Sequence, residues 1–300
     1  MTATHYPYYP GCSLQHHTHA YQQSAEAVAR VLGFDLVEMD DWNCCGATEY
    51  FSVNRLPAYA LVARNLALAA EQGATELVVP CSACFLNLHK TDKNMGRYPK
   101  LGERVNQALA AGKLHYEPGT VKVRHLLEMV ITDIGNDRLK ERTRRPLYGL
   151  KLAPYYGCLV ARPDSVFDST EQPTAMDKML EALGAQATSF ALKTFCCGGH
   201  MTQISEDTAF GMIHRIVRNA AQSGADAIVT ICPMCQLNLD VYQDAANRYF
   251  ETDYHVPVLY FTQVLGLALG LSPKELGFGQ EFVDARAVLD KIQDVPPPRA

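Results

Sequence analysis

The sequence predicts an α/β protein built from two tandem, Rossmann-like halves related by pseudo-twofold symmetry, and two observations carry that expectation. The first is an internal repeat. Ten cysteines fall into two sets, Cys12, Cys44, Cys45, Cys81 and Cys84, then Cys158, Cys196, Cys197, Cys232 and Cys235. Both sets read as a single cysteine, a Cys-Cys-Gly and a Cys-x-x-Cys. From lone cysteine to pair the gap is 31 residues in the first set and 37 in the second; from pair to Cys-x-x-Cys it is 35 and 34. The flanks agree as well: Tyr8-Tyr9-Pro10-Gly11-Cys12 matches Tyr155-Tyr156-Gly157-Cys158, and Val78-Val79-Pro80-Cys81 matches Val229-Thr230-Ile231-Cys232. The second observation is that strand-like and helix-like segments alternate, the pattern of parallel-sheet α/β units.

In chain order, a short strand runs into Cys12, and residues 20–32 have helical spacing with Ala25, Val28, Ala29 and Leu32 on one face. Residues 34–39 alternate like a strand. Residues 59–71 are Ala/Leu-rich and helical, ended by Gly73. Residues 76–79 form a compact apolar strand, with a helix beginning near Cys81 and Cys84. The second half repeats this with a strand at 150–156, helices at 174–183 and 203–223, and a strand at 225–231 feeding Cys232. Each cysteine group thus falls at a strand end, where open α/β sheets place their ligands. The domains read as 1–140 and 150–270, with a charged connector at 136–150 that includes Lys140-Glu141-Arg142-Thr143-Arg144-Arg145. Residues 271–300 read as a C-terminal tail, extended from Val295 through Pro296-Pro297-Pro298.

Composition narrows the function classes. Three hundred residues, 48% of them hydrophobic, suffice for two well-buried cores. A formal net charge of −5 gives no basic field for nucleic acid. Residues 1–10 lack a secretory pattern, and the longest apolar stretch, 264–271, falls far short of the ~20 residues that span a bilayer. The expectation is a cytoplasmic protein without a transmembrane segment. In that reducing compartment ten cysteines are metal ligands or redox thiols rather than structural disulfides.

Sulfur ligands suit zinc or iron–sulfur clusters. A lone Cys-x-x-Cys separates these poorly, since zinc ribbons and thioredoxin-like sites share it. The adjacent pair separates them better: a mononuclear zinc site is filled by four ligands, leaving the fifth cysteine of each half without a role. A cubane cluster likewise needs four, so five thiolates point to a bridging thiolate or a rearranged, open cluster. Gly46 and Gly198-Gly199 allow close backbone approach and can aim amide N–H groups at sulfur. A zinc-stabilised scaffold stays open as a competing class.

Beside the cysteines, Lys193 and His200 flank the second pair and are the candidate catalytic side chains, as donors to a cluster sulfide or to a leaving thiolate; the plainer alternative makes them supporting or surface groups. His16, His17 and His19 do not share a helical face and read as a solvated mouth. Trp42 reads as core packing near the first pair. No Gly-x-Gly-x-x-Gly occurs, so flavin or nicotinamide would come from elsewhere.

With Cys12…Cys44-Cys45-Gly46…Cys81-Ser82-Ala83-Cys84 and Cys158…Cys196-Cys197-Gly198…Cys232-Pro233-Met234-Cys235, the chain resembles the B-type subunit of heterodisulfide reductase, built from two cysteine-rich CCG domains, over residues 5–270. The resemblance implies two noncubane [4Fe-4S] clusters, one ligated by each five-cysteine set, close together in a cavity between the halves. It implies reductive cleavage of a disulfide there, each sulfur being captured by one cluster. It further implies two partners, a ferredoxin-like C-type subunit with cubane [4Fe-4S] clusters and a flavin-containing A-type subunit. Tyr9-Pro10-Gly11-Cys12-Ser13-Leu14 and Trp42-Asn43-Cys44-Cys45-Gly46-Ala47-Thr48 look like the widespread bacterial branch. The expected substrate is accordingly a small-molecule or protein-bound disulfide, thiol or persulfide, as in sulfur metabolism, and not the methanogen substrate as such. The alternative is a purely electron-transferring CCG subunit of a succinate dehydrogenase-like, lactate- or glycolate-oxidising or quinone-linked complex.

Overall fold

A computed structural model describes residues 4–47, 50–163 and 165–293. It contains two four-stranded, all-parallel sheets. The first half supplies β1 (Thr4–Tyr8), β2 (Phe34–Glu38), β3 (Glu76–Val79) and β4 (Lys122–His125), in the order β2-β1-β3-β4. The second supplies β5 (Lys151–Tyr155), β6 (Gln186–Ala187), β7 (Ala227–Thr230) and β8 (Val258–Tyr260), in the order β6-β5-β7-β8. The same order in both halves is the three-dimensional form of the sequence repeat. β7 (Ala-Ile-Val-Thr) is buried along its whole length and β3 (Glu-Leu-Val-Val) along all but its first residue, as strands covered on both faces require.

The helices His19–Leu32, Arg55–Glu71 and Ala175–Ala182 fall where the apolar spacing places them. The segment at 203–223 is divided: a 3-10 turn covers Gly199–Gln203, Ser205 starts afresh, and the helix runs over Glu206–Gln222. Directly after Cys81 and Cys232 begin the helices Ser82–Arg97 and Pro233–Val241. This strand–cysteine–helix passage fixes both Cys-x-x-Cys segments at the carboxyl ends of β3 and β7.

The halves meet along an extended face. Helix Phe261–Ala268 of the second half packs against His19–Leu32 of the first, with the Ser24 and Thr262 hydroxyls 2.7 Å apart in a buried hydrogen bond. The stretch at 136–150 is docked rather than free. It holds helix Asn136–Arg142, buries Leu139 and Leu147, and the Arg144 and Arg145 amides donate to the Ala268 carbonyl. Residues 271–293 also pack. Gln23 donates to the Lys274 carbonyl (2.6 Å), the Phe282 and Val283 amides donate to Asp240 (2.8 and 3.2 Å), and helix Arg286–Gln293 buries Val288 and Ile292. The Pro296-Pro297-Pro298 segment lies outside the described residues. Among the described residues no helix is long and apolar enough to cross a membrane.

Candidate metal centre

Each cysteine set is assembled from three chain segments that leave their sheet at the same end. In the first set, Cys12 Sγ lies 3.6 Å from Cys44 Sγ, and Cys45 Sγ 3.3 Å from Cys84 Sγ. In the second, Cys197 Sγ lies 3.5 Å from Cys235 Sγ. All ten cysteines are free thiols.

Three supports recur in both sets. Gly11 and Gly157 precede the lone cysteines with φ of 76° and 73°, and a Cβ on either would stand 3.0 or 3.1 Å from the last thiol of its set, Cys84 or Cys235. Glycine is required there twice over, by the left-handed backbone and by the sulfur. Tyr9 and Tyr155, each three residues before the lone cysteine, donate their hydroxyls to the carbonyls of Asn43 (2.7 Å) and Phe195 (2.6 Å), the residues immediately before the two pairs. Asn87 and Asn238, each six residues past the first cysteine of the Cys-x-x-Cys, donate to the carbonyls of Cys45 (3.1 Å) and Cys197 (2.5 Å). Tyrosine hydroxyl and asparagine amide thus hold each pair, while the glycine leaves room for the last thiol.

The environment favours thiolate at particular sulfurs. Hydrogen bonds from Cys12 and Cys45, then from the Gly46 and Ala47 amides, draw the Cys44 thiol well below its ordinary range against the cost of burial. Cys196 is lowered to about 6 by Cys158, against burial, with the Gly198 amide assisting. The Gly198 N–H points at Cys196 Sγ and the Gly199 N–H at Cys197 Sγ, each at 3.4 Å. Amides aimed at sulfur are the means by which a protein stabilises, and tunes, an anionic sulfur-ligated metal group.

All five thiols of the second set line one cavity of about 460 Å3, in the size range of small-molecule sites (about 300–1,000 Å3). Its remaining wall is largely apolar: Val53 from the first half, then Leu159, Met201, Ile204 and Met234. Among the described residues no three Cys, His, Asp or Glu side chains converge as a site for a single metal ion. The donor set, soft thiolates ringed by amides around an open space, fits a polynuclear iron–sulfur group.

A cysteine-rich domain of the CCG type matches residues 6–89 and again 152–240, each copy enclosing one complete set. The chain belongs to the CCG cysteine-rich family. Within it the chain is of the heterodisulfide reductase B-type. It is 33% identical to the B-type subunit of a ferredoxin/F(420)H(2)-dependent CoB-CoM heterodisulfide reductase of Methanosarcina acetivorans, covering 95% of this chain and 96% of that one. It is 31% identical to the B-type subunit of a ferredoxin:CoB-CoM heterodisulfide reductase of Methanosarcina mazei, with the same coverage. It is 38% identical, over 93% of its own length and 97% of the relative's, to a chain named as 8-methylmenaquinol:fumarate reductase membrane anchor subunit in Wolinella succinogenes. A solved structure of a hypothetical protein from Helicobacter pylori superposes with a TM-score of 0.77 at 16% identity, covering 94% of this chain and 52% of that one, and shares the fold.

In this CCG chain the two candidate side chains beside the second pair part company. His200 lines the cavity. The Lys193 ammonium does not: it is buried in an ion pair with Asp177 and donates to the Pro173 carbonyl (3.1 Å). Lys193 supports the site through its backbone, whose carbonyl accepts from the Tyr156 and Gly157 amides just ahead of Cys158. His16, His17 and His19 are exposed. Trp42 is half-buried, stands edge-on to Tyr9 at 5.2 Å and donates to Glu38. Sequence reasoning passed over Asn87 and Asn238, although both halves carry the same signal, Cys-x-x-Cys-x-Leu-Asn.

Proposed function

We propose that this chain is the iron–sulfur subunit of a heterodisulfide reductase-like complex, that each five-cysteine set holds one noncubane [4Fe-4S] cluster, and that the site cleaves or forms a disulfide or persulfide between the halves. The observation that carries this reading is the cavity walled by all five thiols of the second set and by residues of both halves. Bound clusters supply electrons one at a time and open iron positions for sulfur. The chain's own residues do the rest. The apolar wall of Val53, Leu159, Met201, Ile204 and Met234 excludes water and seats the substrate's carbon skeleton. The Gly198 and Gly199 amides donate toward the sulfurs of Cys196 and Cys197. His200, at the cavity wall, is placed to hand a proton to a leaving thiolate. For reduction the balance is one disulfide, two electrons and two protons giving two thiols. The electrons come from a partner, for which a ferredoxin-like protein with cubane clusters, itself served by a flavoprotein, is the fitting class. The amount of apolar wall, with the 38% identity to a relative named for 8-methylmenaquinol, favours one second reading, in which the chain passes electrons to or from a quinone.

Anaerobically isolated protein tests both. About eight irons per chain, four for each cluster, are expected, and addition of a small thiol or disulfide should change the EPR spectrum. A spectrum that responds to a menaquinone analogue and ignores thiols and disulfides establishes the second reading. A protein carrying zinc and no iron ends both.

A further inference from the structure

Behind the cysteines, at the seam between the halves, lies a buried polar knot with no counterpart in the cavity chemistry. Tyr21, fully buried on helix His19–Leu32, directs its hydroxyl between two carbonyls, Pro80 O at 3.2 Å and Ile231 O at 3.1 Å. These belong to the residues immediately before Cys81 and Cys232, one from each half. A hydroxyl between two carbonyls that would otherwise repel draws them together. The Cys81 and Cys232 thiols lie close enough across the seam for each to shift the other's ionisation. The Tyr21 ring is fixed from the second half, stacked on Tyr260 at 4.3 Å and 9°.

His125 adds a second donor. It is 0% exposed, and its Nδ1 accepts the Leu127 amide at 3.2 Å, so the proton of the neutral ring sits on Nε2. Nε2 has no partner in regular hydrogen-bond geometry, and the backbone groups it faces are the same Pro80 and Ile231 carbonyls. A buried N–H aimed at two carbonyls that a tyrosine already bridges is a costly arrangement for fold stability alone, since a buried donor left without a closed hydrogen bond destabilises the fold.

We propose that Tyr21 and His125 are positioning residues for electron exchange between the two cluster sites: with the Tyr21 hydroxyl bridging the carbonyls of Pro80 and Ile231 and His125 Nε2 facing them, they hold Cys81 and Cys232 side by side, and that adjacency is the electron's route between the halves. The transfer moves one electron, oxidising one site and reducing the other, without a proton. The inference rests on the two-cluster reading above.

The test uses anaerobically isolated holoprotein, partially reduced, with EPR detection of magnetic interaction between the sites. Wild type should show an interaction splitting. Tyr21→Phe keeps the ring stack and removes only the hydroxyl, so it should retain the wild-type iron content and lose the splitting. His125→Asn preserves the capping acceptor for Leu127, since asparagine caps well, and removes the ring donor; it should also lose the splitting. Tyr260→Phe is the control. Its hydroxyl bonds Gln236 at 3.0 Å, not the carbonyls, so it should soften the protein thermally while keeping the splitting. Iron-replete Tyr21→Phe and His125→Asn with unchanged splitting overturn the proposal alone, as does an iron-replete wild type without any splitting. An iron-free wild type overturns the cluster reading and this inference with it.

Discussion

Set side by side, the two halves differ least where they touch sulfur and most where they touch each other or solvent. Gly11 and Gly157, Tyr9 and Tyr155, and Asn87 and Asn238 do the same work at matched positions, the glycine and tyrosine pairs at nearly the same distances. The last strand of each sheet does not match. β4 carries Arg124-His125 where β8 carries Leu259-Tyr260, pairs placed in register by Val79↔His125 and Thr230↔Tyr260. Arg124, only 6% exposed, is the hub of a charge network with Glu76 (3.0 Å), Glu128 (2.9 Å) and Asp133 (2.7 Å). Leu259, fully buried, is simple core. Duplication thus preserved the cage around each sulfur group and left each sheet edge to find its own stabilisation. The first pair is also more open than the second: Cys44 is exposed, whereas Cys196 is partly covered.

The severest way to break the equivalence of the cages is to fill the space beside the last thiol. Gly11→Ala sets a methyl 3.0 Å from Cys84 Sγ, and Gly157→Ala sets one 3.1 Å from Cys235 Sγ. Each also forces a left-handed alanine, costing about 1–2 kcal/mol. If the halves are separate, equivalent cages, each variant should lose about half of the wild-type iron, four atoms of eight. Anaerobic iron and sulfide analysis reads this directly. Full iron in either variant shows that the last thiol of that set is not a ligand.

The divergent sheet edges give the next largest effect, on stability. Arg124→Ala strands three carboxylates around a buried site and should cost about 3–5 kcal/mol, as breaking buried pairs does. Leu259→Ala should cost about 2–5 kcal/mol as a core cavity. Denaturant unfolding separates the two mechanisms by salt. Added salt should partly relieve Arg124→Ala by screening the carboxylates and leave Leu259→Ala unchanged. Equal salt responses would mean that the Arg124 network contributes packing, not charge.

The same contrast explains what the sequence could disclose. Cysteine register, strand ends and pseudo-symmetry were legible because they repeat, and a repeat shows itself without any physics of long-range packing. β4 and β8 were not. Each is only four or three residues long, and the buried Arg124 and His125 give β4 the look of a solvent-facing loop. Lys193 illustrates proximity in sequence misleading about proximity in space: three residues from Cys196, its ammonium runs to Asp177. Tyr21 lies 59 residues from Pro80 and 210 from Ile231, and no local pattern connects them. The segment at 271–293, read as tail, is fastened by backbone amides and small-residue contacts, Gly277 against Ala20 and Phe282 and Val283 on Asp240, which leave little trace in composition.

That fastening supplies the smallest of the expected effects and again divides the halves. Five residues past the last thiol, the first half has His89, stacked on Phe85, and the second has Asp240. Burial pushes the Asp240 carboxyl up to about 6, outweighing the Phe282 and Val283 amides that would lower it. A carboxyl raised on folding stabilises fully below its unfolded value, near 3.8, and that contribution is lost as pH rises through about 6. Stability attributable to Asp240 should therefore fall by roughly 1 kcal/mol between pH 5 and 7, at about 1.4 kcal/mol per pKa unit. Asp240→Asn cannot ionise, and its Nδ2 faces donors, so it should be less stable throughout but lack this slope. The difference between wild-type and Asp240→Asn unfolding free energies across that window isolates the group from every other titration. A difference that does not vary with pH would show that the amides of Phe282 and Val283, rather than desolvation, govern Asp240, and that the C-terminal segment is held by an ionised carboxylate.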